Sequence, residues 1–434
     1  MPEPYIAILG ASGLIGHALA VDLRRRGFKA HGYARRFTAA QISALDETAI
    51  QMPLLSLSER ELTRLLGDAD IVVNTIGILQ GSEIDAVHRA FVLRLATCCA
   101  TGSKKLLVHV SIPGDEKDDH TTFSRSKREG EHAITANGAP FVILRPGFVI
   151  APTAYGGSAL IRALAVLPLD LPTRESGSRF ATTAISDICE TVAQIAARWR
   201  GGEKEWHRIW DVMEENPGTV ESIVAAFRRH NGGPKPLLAI PGWMLGLGVV
   251  AGDFVSWLGW KPPIRSTAIV EMRRGVRGDP KSWMTDTGLT PLSAHAAVAS
   301  TPATVQEKWF ARLYLLKALA LVTLVIFWCA SGLIALTVAS GAARQTLIDH
   351  GFSQALAQDM TIASSVLDIS IGLMIGIRRT SPIGLTAGIL VSLGYMAGAA
   401  VITPDLWLEP LGALVKTGPA IVLMLFSLAT LDDR

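Results

Sequence analysis

Short apolar runs alternate with longer, half-polar runs through the first part of this chain, and long apolar runs close it. Tyr5–Leu9 reads as a buried strand and Leu14–Arg26, stopped by Gly27, as a helix. Lys29–Tyr33 reads as the next strand. Ser58-Glu59-Arg60-Glu61 has the form of a capping box, a serine with a glutamate three residues on, opening a short helix. Ala69–Asn74 is then a strand, Ile84–Thr101 a helix, Lys105–Val110 a strand, Thr122–Asn137 a helix and Phe141–Leu144 a strand. Strands alternating with helices predict an α/β domain with a parallel, doubly wound sheet. Ligands of such sheets bind beyond the carboxyl ends of the strands. After residue 150 the pattern is less legible. Phe180–Asp187 opens a helix. Pro241–Trp260 is apolar over twenty residues but holds Asp253 and five glycines between the breakers Pro241 and Pro262. It reads as a helix covering a cleft or resting on a bilayer surface, rather than as a span.

The closing runs are Leu313–Val338, Ile362–Ile377, Ile383–Ile402 and Leu411–Leu428. A helix needs about 20 apolar residues to cross the hydrocarbon core. The runs meet or approach that length, the second only if it starts near Leu356. The pattern predicts an all-α four-helix transmembrane bundle over residues 311–434, behind an α/β domain over residues 1–300. Basic loop residues mark the cytoplasmic side of spans. Lys308 and Arg312 precede the first span, and Arg378 and Arg379 separate the second from the third. The loop after the first span sets Arg344 against Asp349 and His350, and the loop after the third carries Asp405 and Glu409. Both termini and the front domain are therefore expected on the cytoplasmic side of the inner membrane. Asp368 falls within the second span and Lys416 early in the fourth. Ionisable groups in lipid face a partner or a cavity. The two read either as a packing pair or as a proton or quinone site, and Lys416 is also able to snorkel.

The net charge of +3 comes from 41 basic and 38 acidic residues. From Ala311 onward seven basic residues balance seven acidic ones, so the excess lies in the front part. No segment is strongly basic, which argues against a nucleic-acid partner. The fall in charge density puts a boundary near Pro302–Phe310. Cys98, Cys99, Cys189 and Cys329 lack metal-ligand spacing, so no metal is expected, and a reducing compartment fits them. The first residues lack a basic region, and Tyr5–Leu9 is too short for a signal peptide, so the front domain is expected to stay where it is made.

Gly10-Ala11-Ser12-Gly13-Leu14-Ile15-Gly16 joins the first strand to the first helix. Strand, glycine turn and helix in that order make a dinucleotide fingerprint. The glycines let the backbone approach a pyrophosphate, and the helix N-terminus offers it free amides and partial positive charge. A tight turn without a ligand is the other reading. At the end of the second strand, NAD-binding folds place an acid for the ribose 2′-hydroxyl. This chain has Tyr33-Ala34-Arg35-Arg36 there. Two guanidiniums suit a 2′-phosphate, which favours NADP(H) over NAD(H), unless the arginines form only a solvated loop. Three further candidates fall at strand ends: Asn74-Thr75-Ile76-Gly77, Ser111, and Arg145 followed by Pro146, Gly147 and Phe148.

The glycine spacing, the N-x-x-G after a later strand, the strand-end serine and a helix carrying Ser126-Lys127 resemble the short-chain dehydrogenase/reductase superfamily. Ile71–Leu79 and Phe123–Glu131 look like its atypical branch, which includes the nucleotide-binding accessory subunit of respiratory complex I and proteins of quinone biosynthesis. The resemblance covers residues 1–300 and is strongest before Ile150. It implies a Rossmann-like fold and an NAD(P) cofactor. In that superfamily a Tyr four residues before a Lys is the general acid/base, and the Lys lowers its pKa and bonds the nicotinamide ribose. Lys127 matches the lysine and Ser111 the substrate-orienting serine, but Phe123 stands where the tyrosine belongs. Phenylalanine has no proton to give. Thr121 and Thr122 lie nearby, though helix register denies them an equivalent reach. The tail resembles the DoxX-like membrane family over residues 311–432. The matching features are Trp328–Leu333, the Asp368 segment, Gly394-Tyr395, Pro404–Pro410 and Lys416. Relatives in that family have been tied to quinone-linked redox reactions.

These readings converge on a membrane-anchored, NADP(H)-binding redox protein near the quinone pool, as a quinone-linked oxidoreductase or in quinone biosynthesis. The alternative is a non-catalytic, cofactor-binding assembly or scaffold factor of a membrane respiratory complex, a reading that Phe123 supports. A transporter with a nucleotide-sensing domain is a third, and four spans are few for it. The implied partners are a lipid bilayer, a quinone and membrane respiratory proteins.

Overall fold

The computed structural model describes residues 3–102, 104–408 and 414–431. They form two compact units. One holds the chain up to Val249 together with Pro263–Lys308, and the other holds Val250–Pro262 together with the chain from Trp309 onward.

The front unit is built on one seven-stranded sheet. Its strands are β1 (Tyr5–Leu9), β2 (Lys29–Ala34), β3 (Ala49–Gln51), β4 (Ile71–Asn74), β5 (Leu106–Val110), β6 (Phe141–Pro146) and a last strand, His207–Val212. The spatial order is His207–Val212, β6, β5, β4, β1, β2, β3, and every pairing is parallel. Chain order reverses between β1 and β4, the switch point at which such sheets bind ligands. Every residue of β4 and β5 is buried, as a sheet covered on both faces requires. The helices α1 (Leu14–Arg25), α2 (Ala39–Leu45), α3 (Glu59–Leu65), α4 (Phe91–Ala100) and α5 (Thr122–Thr135) connect the strands. α1 and the later helix Ile185–Arg200 pack Leu19, Leu23, Ile188, Val192 and Trp199 into one core layer. α3 and α4 pack Leu62, Phe91, Leu95 and Cys99 into the other.

Most element limits agree with the sequence pattern within a residue or two, and the Ser58 capping box is formed. Among the sheet strands and the helices α1 to α5, three elements went unannounced: α2, β3 and His207–Val212. The helix expected over Ile84–Thr101 begins with a π-helical segment, Ala86–Ala90, before α4. The Phe180–Asp187 segment supplies a short strand, Thr182–Ala184, before the helix Ile185–Arg200.

Among the described residues three helices are long and apolar enough to cross a membrane: Val305–Leu336, Gln354–Gly376 and Ser381–Ile402. The second starts ahead of Leu356, which gives it the length its apolar run lacked. The fourth run forms a shorter apolar helix, Thr417–Ala429. Residues 411–413 of the expected fourth span, with Glu409 and Pro410, lie outside the described residues. An unforeseen helix, Ser340–Asp349, fills the connection after the first span. Small residues let the helices approach closely. A Cβ added at Gly332 would lie 2.5 Å from the Ser365 carbonyl, and one at Gly372 would lie 2.4 Å from Cys329 Sγ.

Polar contacts define the two ends of this bundle. Lys317 Nζ donates to the carbonyls of Thr430 and Leu431, and Arg378 Nη2 donates to that of Leu431 at 3.2 Å. Cations there satisfy the last carbonyls of a helix and complement its dipole. At the other end His350 Nε2 meets Asp405 Oδ1 at 3.1 Å. The start of the first span, the end of the second and the end of the last helix therefore share one end. The two other connections share the opposite end.

Candidate functional site

The glycine turn sits at the switch point and is stitched to the neighbouring strand ends. The amides of Gly10 and Ala11 donate to the Tyr33 carbonyl at 2.8 and 3.1 Å. Thr75 Oγ1 donates to the Leu9 carbonyl at 2.8 Å. Gly10 has φ +88°, and its added Cβ would lie 2.9 Å from Thr75 Oγ1. A Cβ at Gly16 would lie 2.4 Å from the Gly10 carbonyl. These two positions admit only glycine without a shift of backbone. Gly13 is the exposed N-cap of α1 and brings no side chain to the first-turn amides, so those of Leu14, Ile15 and Gly16 lie at an uncapped N-terminus. Gln41 of α2 donates to the Ser12 carbonyl at 3.0 Å and braces the turn from outside.

A buried polar cluster adjoins the turn. Asn74 Oδ1 accepts from the Ile76 amide at 3.1 Å, which orients its Nδ2 to donate to His109 Nδ1 at 3.1 Å. The His109 proton is then on Nε2, which is buried with no partner among the described residues. His88 Nε2 accepts from the Ile78 amide at 3.1 Å, so Nδ1 of the neutral ring donates to Ser126 Oγ at 2.9 Å. Burial and the nearby Lys127 charge pull the His88 pKa down to about 3, and burial holds His109 well below the usual imidazole value. Both rings are therefore neutral at physiological pH. Lys127 Nζ donates to the Val110 carbonyl at 2.9 Å, and burial brings its pKa down to about 8. A Cβ at Gly77 would lie 3.3 Å from that Nζ. The Phe123 ring packs edge-on against His88, with centroids 5.5 Å apart. Thr121 is committed to capping α5 and to Glu271, and Thr122 is exposed.

The structure thus gathers Gly10, Gly16, Asn74, Thr75, Ile76, Gly77 and Lys127 into one neighbourhood. Ser111 follows β5 and is buried, and its hydroxyl is among the groups that hold down the pKa of Glu131. Arg35 and Arg36 are exposed just beyond β2. At the end of β6, a Cβ at Gly147 would lie 2.4 Å from the Ala181 carbonyl, and the Phe148 ring packs against Phe180. Those contacts tie Pro146–Phe148 to the later strands. Sequence reasoning missed His88 and His109. The signal was a histidine on the apolar face of a helix and another inside an otherwise apolar strand. It also missed an ion network over α5. There Arg128 meets Asp119 at 3.0 Å and Glu131 at 2.9 Å, Arg145 grips Glu131 with two nitrogens, and Arg274 binds Asp119. Burial opposes the Glu131 charge, but Arg145 outweighs it and holds the carboxyl below its usual value.

In the membrane unit Asp368 is buried, accepting from Tyr395 Oη at 2.9 Å and lying 3.5 Å from Ser331 Oγ. Lys416 is exposed at the N-cap of the last helix. The carboxylate is thus met by hydroxyls and not by Lys416.

Residues 10–165 match the NAD(P)H-binding family and residues 323–425 match the DoxX-like family. The chain is a fusion of an NAD(P)-binding Rossmann domain with a DoxX-like membrane domain. Among curated proteins it is similar to a ceramide reductase of Caulobacter vibrioides, 24% identical over 235 residues, which is 54% of this chain and 72% of that relative. Among solved structures it resembles MoeE5 in complex with UDP-glucuronic acid and NAD. That match has a TM-score of 0.51 at 17% identity and covers 68% of this chain and 97% of that one. It also resembles UDP-glucuronic acid 4-epimerase from Bacillus cereus in complex with NAD, with a TM-score of 0.51 at 15% identity, covering 71% and 99%. These likenesses establish the fold.

Proposed function

We propose that this chain is a membrane-anchored NAD(P)H oxidoreductase whose acceptor is a quinone. The observation that carries the reading is Phe123, which leaves no phenol on α5 one turn ahead of Lys127. The residues present suit the cofactor. The uncapped start of α1 fits a pyrophosphate, and Arg35 and Arg36 fit a 2′-phosphate, which favours NADP(H). Lys127 and the buried Ser111 hydroxyl supply donors deeper in the site. Asn74 to Gly77 and Pro146 to Phe148 complete its walls. Bound NAD(P)H supplies a hydride, and NAD(P)H + H⁺ + quinone gives NAD(P)⁺ + quinol. A quinone oxygen can take its second proton from water, whereas a ketone needs a positioned acid as the hydride arrives. Lys127 holds its proton up to about pH 8 and is the one charged donor in the polar cluster around Asn74. The apolar helices of the bundle suit a membrane anchor, and quinones reside in membranes. Lys317 and Arg378 mark the end of the bundle that we assign to the cytoplasmic side of an inner membrane.

The similarity to a ceramide reductase favours a second reading, reduction of a lipid carbonyl, with Lys127 or an ordered water giving the proton. The test uses the full chain in lipid nanodiscs, with reduced cofactor and either a short-chain quinone or a long-chain keto lipid. Oxidation by the quinone alone supports the first reading, and oxidation by the keto lipid supports the second. Tight cofactor binding without turnover in either case would leave an assembly or scaffold role.

A further inference from the structure

We propose that the helix Gly242–Trp257 lies flat in the bilayer interface, as a membrane contact separate from the spans. Its inward positions are Leu245 and Gly252, both buried, with Gly248, Val249, Val255 and Ser256 half-buried beside them. They recur at helical spacing and make one packed face. The opposite face is just as apolar and is bare. Trp243 is 68% exposed, Leu247 62%, Val250 68%, Phe254 59% and Trp257 83%. These five fall at intervals of four and three residues, a continuous stripe along one side of a four-turn helix. A stripe of this kind marks an interaction surface.

The choice of lipid rests on where the helix ends. Val250–Pro262 belongs to the compact unit that holds the spans. Trp260 Nε1 donates to the Gly376 carbonyl at 2.7 Å, and the Arg378 amide donates to the Leu258 carbonyl at 3.1 Å. The Arg378 guanidinium lies over the Trp260 ring, 5.4 Å from its centroid. Gly376 is the last residue of the second span, so the helix is fastened at the level where a span leaves the bilayer. Tryptophan, at both ends of the bare stripe, is the residue type that settles at that level. Four glycines and Asp253 make this helix a poor span, but they do not disturb a helix lying along the surface. The inference is independent of which acceptor the front domain serves.

Photolabelling of the unmodified full chain in nanodiscs tests it, with peptides read by mass spectrometry. One phospholipid probe carries its diazirine just below the headgroup, and a second carries it at the acyl-chain end. Hydroxyl-radical oxidation in the same nanodiscs reports water contact. The expected result is labelling of the 242–257 peptide by the first probe, at several times the level given by the second, with Trp243 and Trp257 protected from oxidation. Dominant labelling by the chain-end probe would mean a span and would overturn the proposal. So would strong oxidation of both tryptophans, which means a free surface, or protection from lipid probes and radicals alike, which means a protein cover.

Discussion

Arg128 in the front unit and Asp368 in the membrane unit are both buried charges, and their surroundings differ in kind. Arg128 is enclosed by Asp119, Glu131 and the Gly114 carbonyl, and Arg145, Arg274 and Glu271, which lies 3.8 Å from Arg274, complete a network of three cations and three carboxylates. Asp368 has the hydroxyls of Tyr395 and Ser331 as its partners among the described residues. A network of opposite charges locks its members, because removing one strands the others. A carboxylate held by neutral donors can take up a proton without stranding a cation. The first arrangement suits a scaffold that fixes α5 and the loop after β5, and with them Lys127. The second suits a group that changes state.

Replacing one member of each arrangement tests this contrast at its largest effect. Arg128→Met should cost about 3–5 kcal/mol, read as faster hydrogen exchange along α5 and lower thermal stability. Asp368→Asn keeps a hydrogen-bonding side chain and should cost about 1 kcal/mol. Equal losses would break the comparison.

Two further experiments sharpen the front half of it. Removing both Arg35 and Arg36 should weaken NADP(H) by about 1–3 kcal/mol and leave NAD(H) unchanged, measured by titration in detergent. Equal weakening of both cofactors would remove the 2′-phosphate assignment. Lys127 has its pKa lowered to about 8 in the folded chain, so its ammonium is present below that pH and lost above it. Cofactor affinity should therefore fall as pH rises through about 8, by about 1–2 kcal/mol for a lost charged donor. Lys127→Arg should flatten the profile. An unchanged profile would show that the lysine does not reach the cofactor.

Topology carries no energetic penalty but defines the membrane half. Reporter fusions after Arg379 should read cytoplasmic, and fusions near His350 and Asp405 periplasmic. The reverse would invert the orientation.

The repeating features were legible in the chain itself. The glycine turn, the strand and helix alternation and the Ser58 capping box are local, and their periods or spacings fall within a few residues. The His88–Ser126 contact joins positions 38 residues apart, and Asn74 meets His109 across 35. No spacing rule connects such pairs before the sheet order is known. His207–Val212 alternates weakly because it is an edge strand with three exposed positions. Lys317 was invisible as a membrane-end cation because its partners are backbone carbonyls at the far end of the chain. Asp368 was legible as an anomaly, while its partner Tyr395 required the packing of two helices.

The most direct test of the account concerns position 123. Wild-type protein and Phe123→Tyr, both in nanodiscs, are supplied with NADPH and assayed for cofactor oxidation against a short-chain quinone and a broad panel of ketones and aldehydes. The substitution restores a phenol one turn ahead of Lys127 on the same helix face. The account predicts quinone-dependent oxidation by the wild type with no carbonyl turnover. It predicts unchanged cofactor affinity and new, weak carbonyl reduction in Phe123→Tyr. Robust turnover of a simple ketone by the wild type would contradict it, since a residue other than the missing tyrosine would then be supplying the proton.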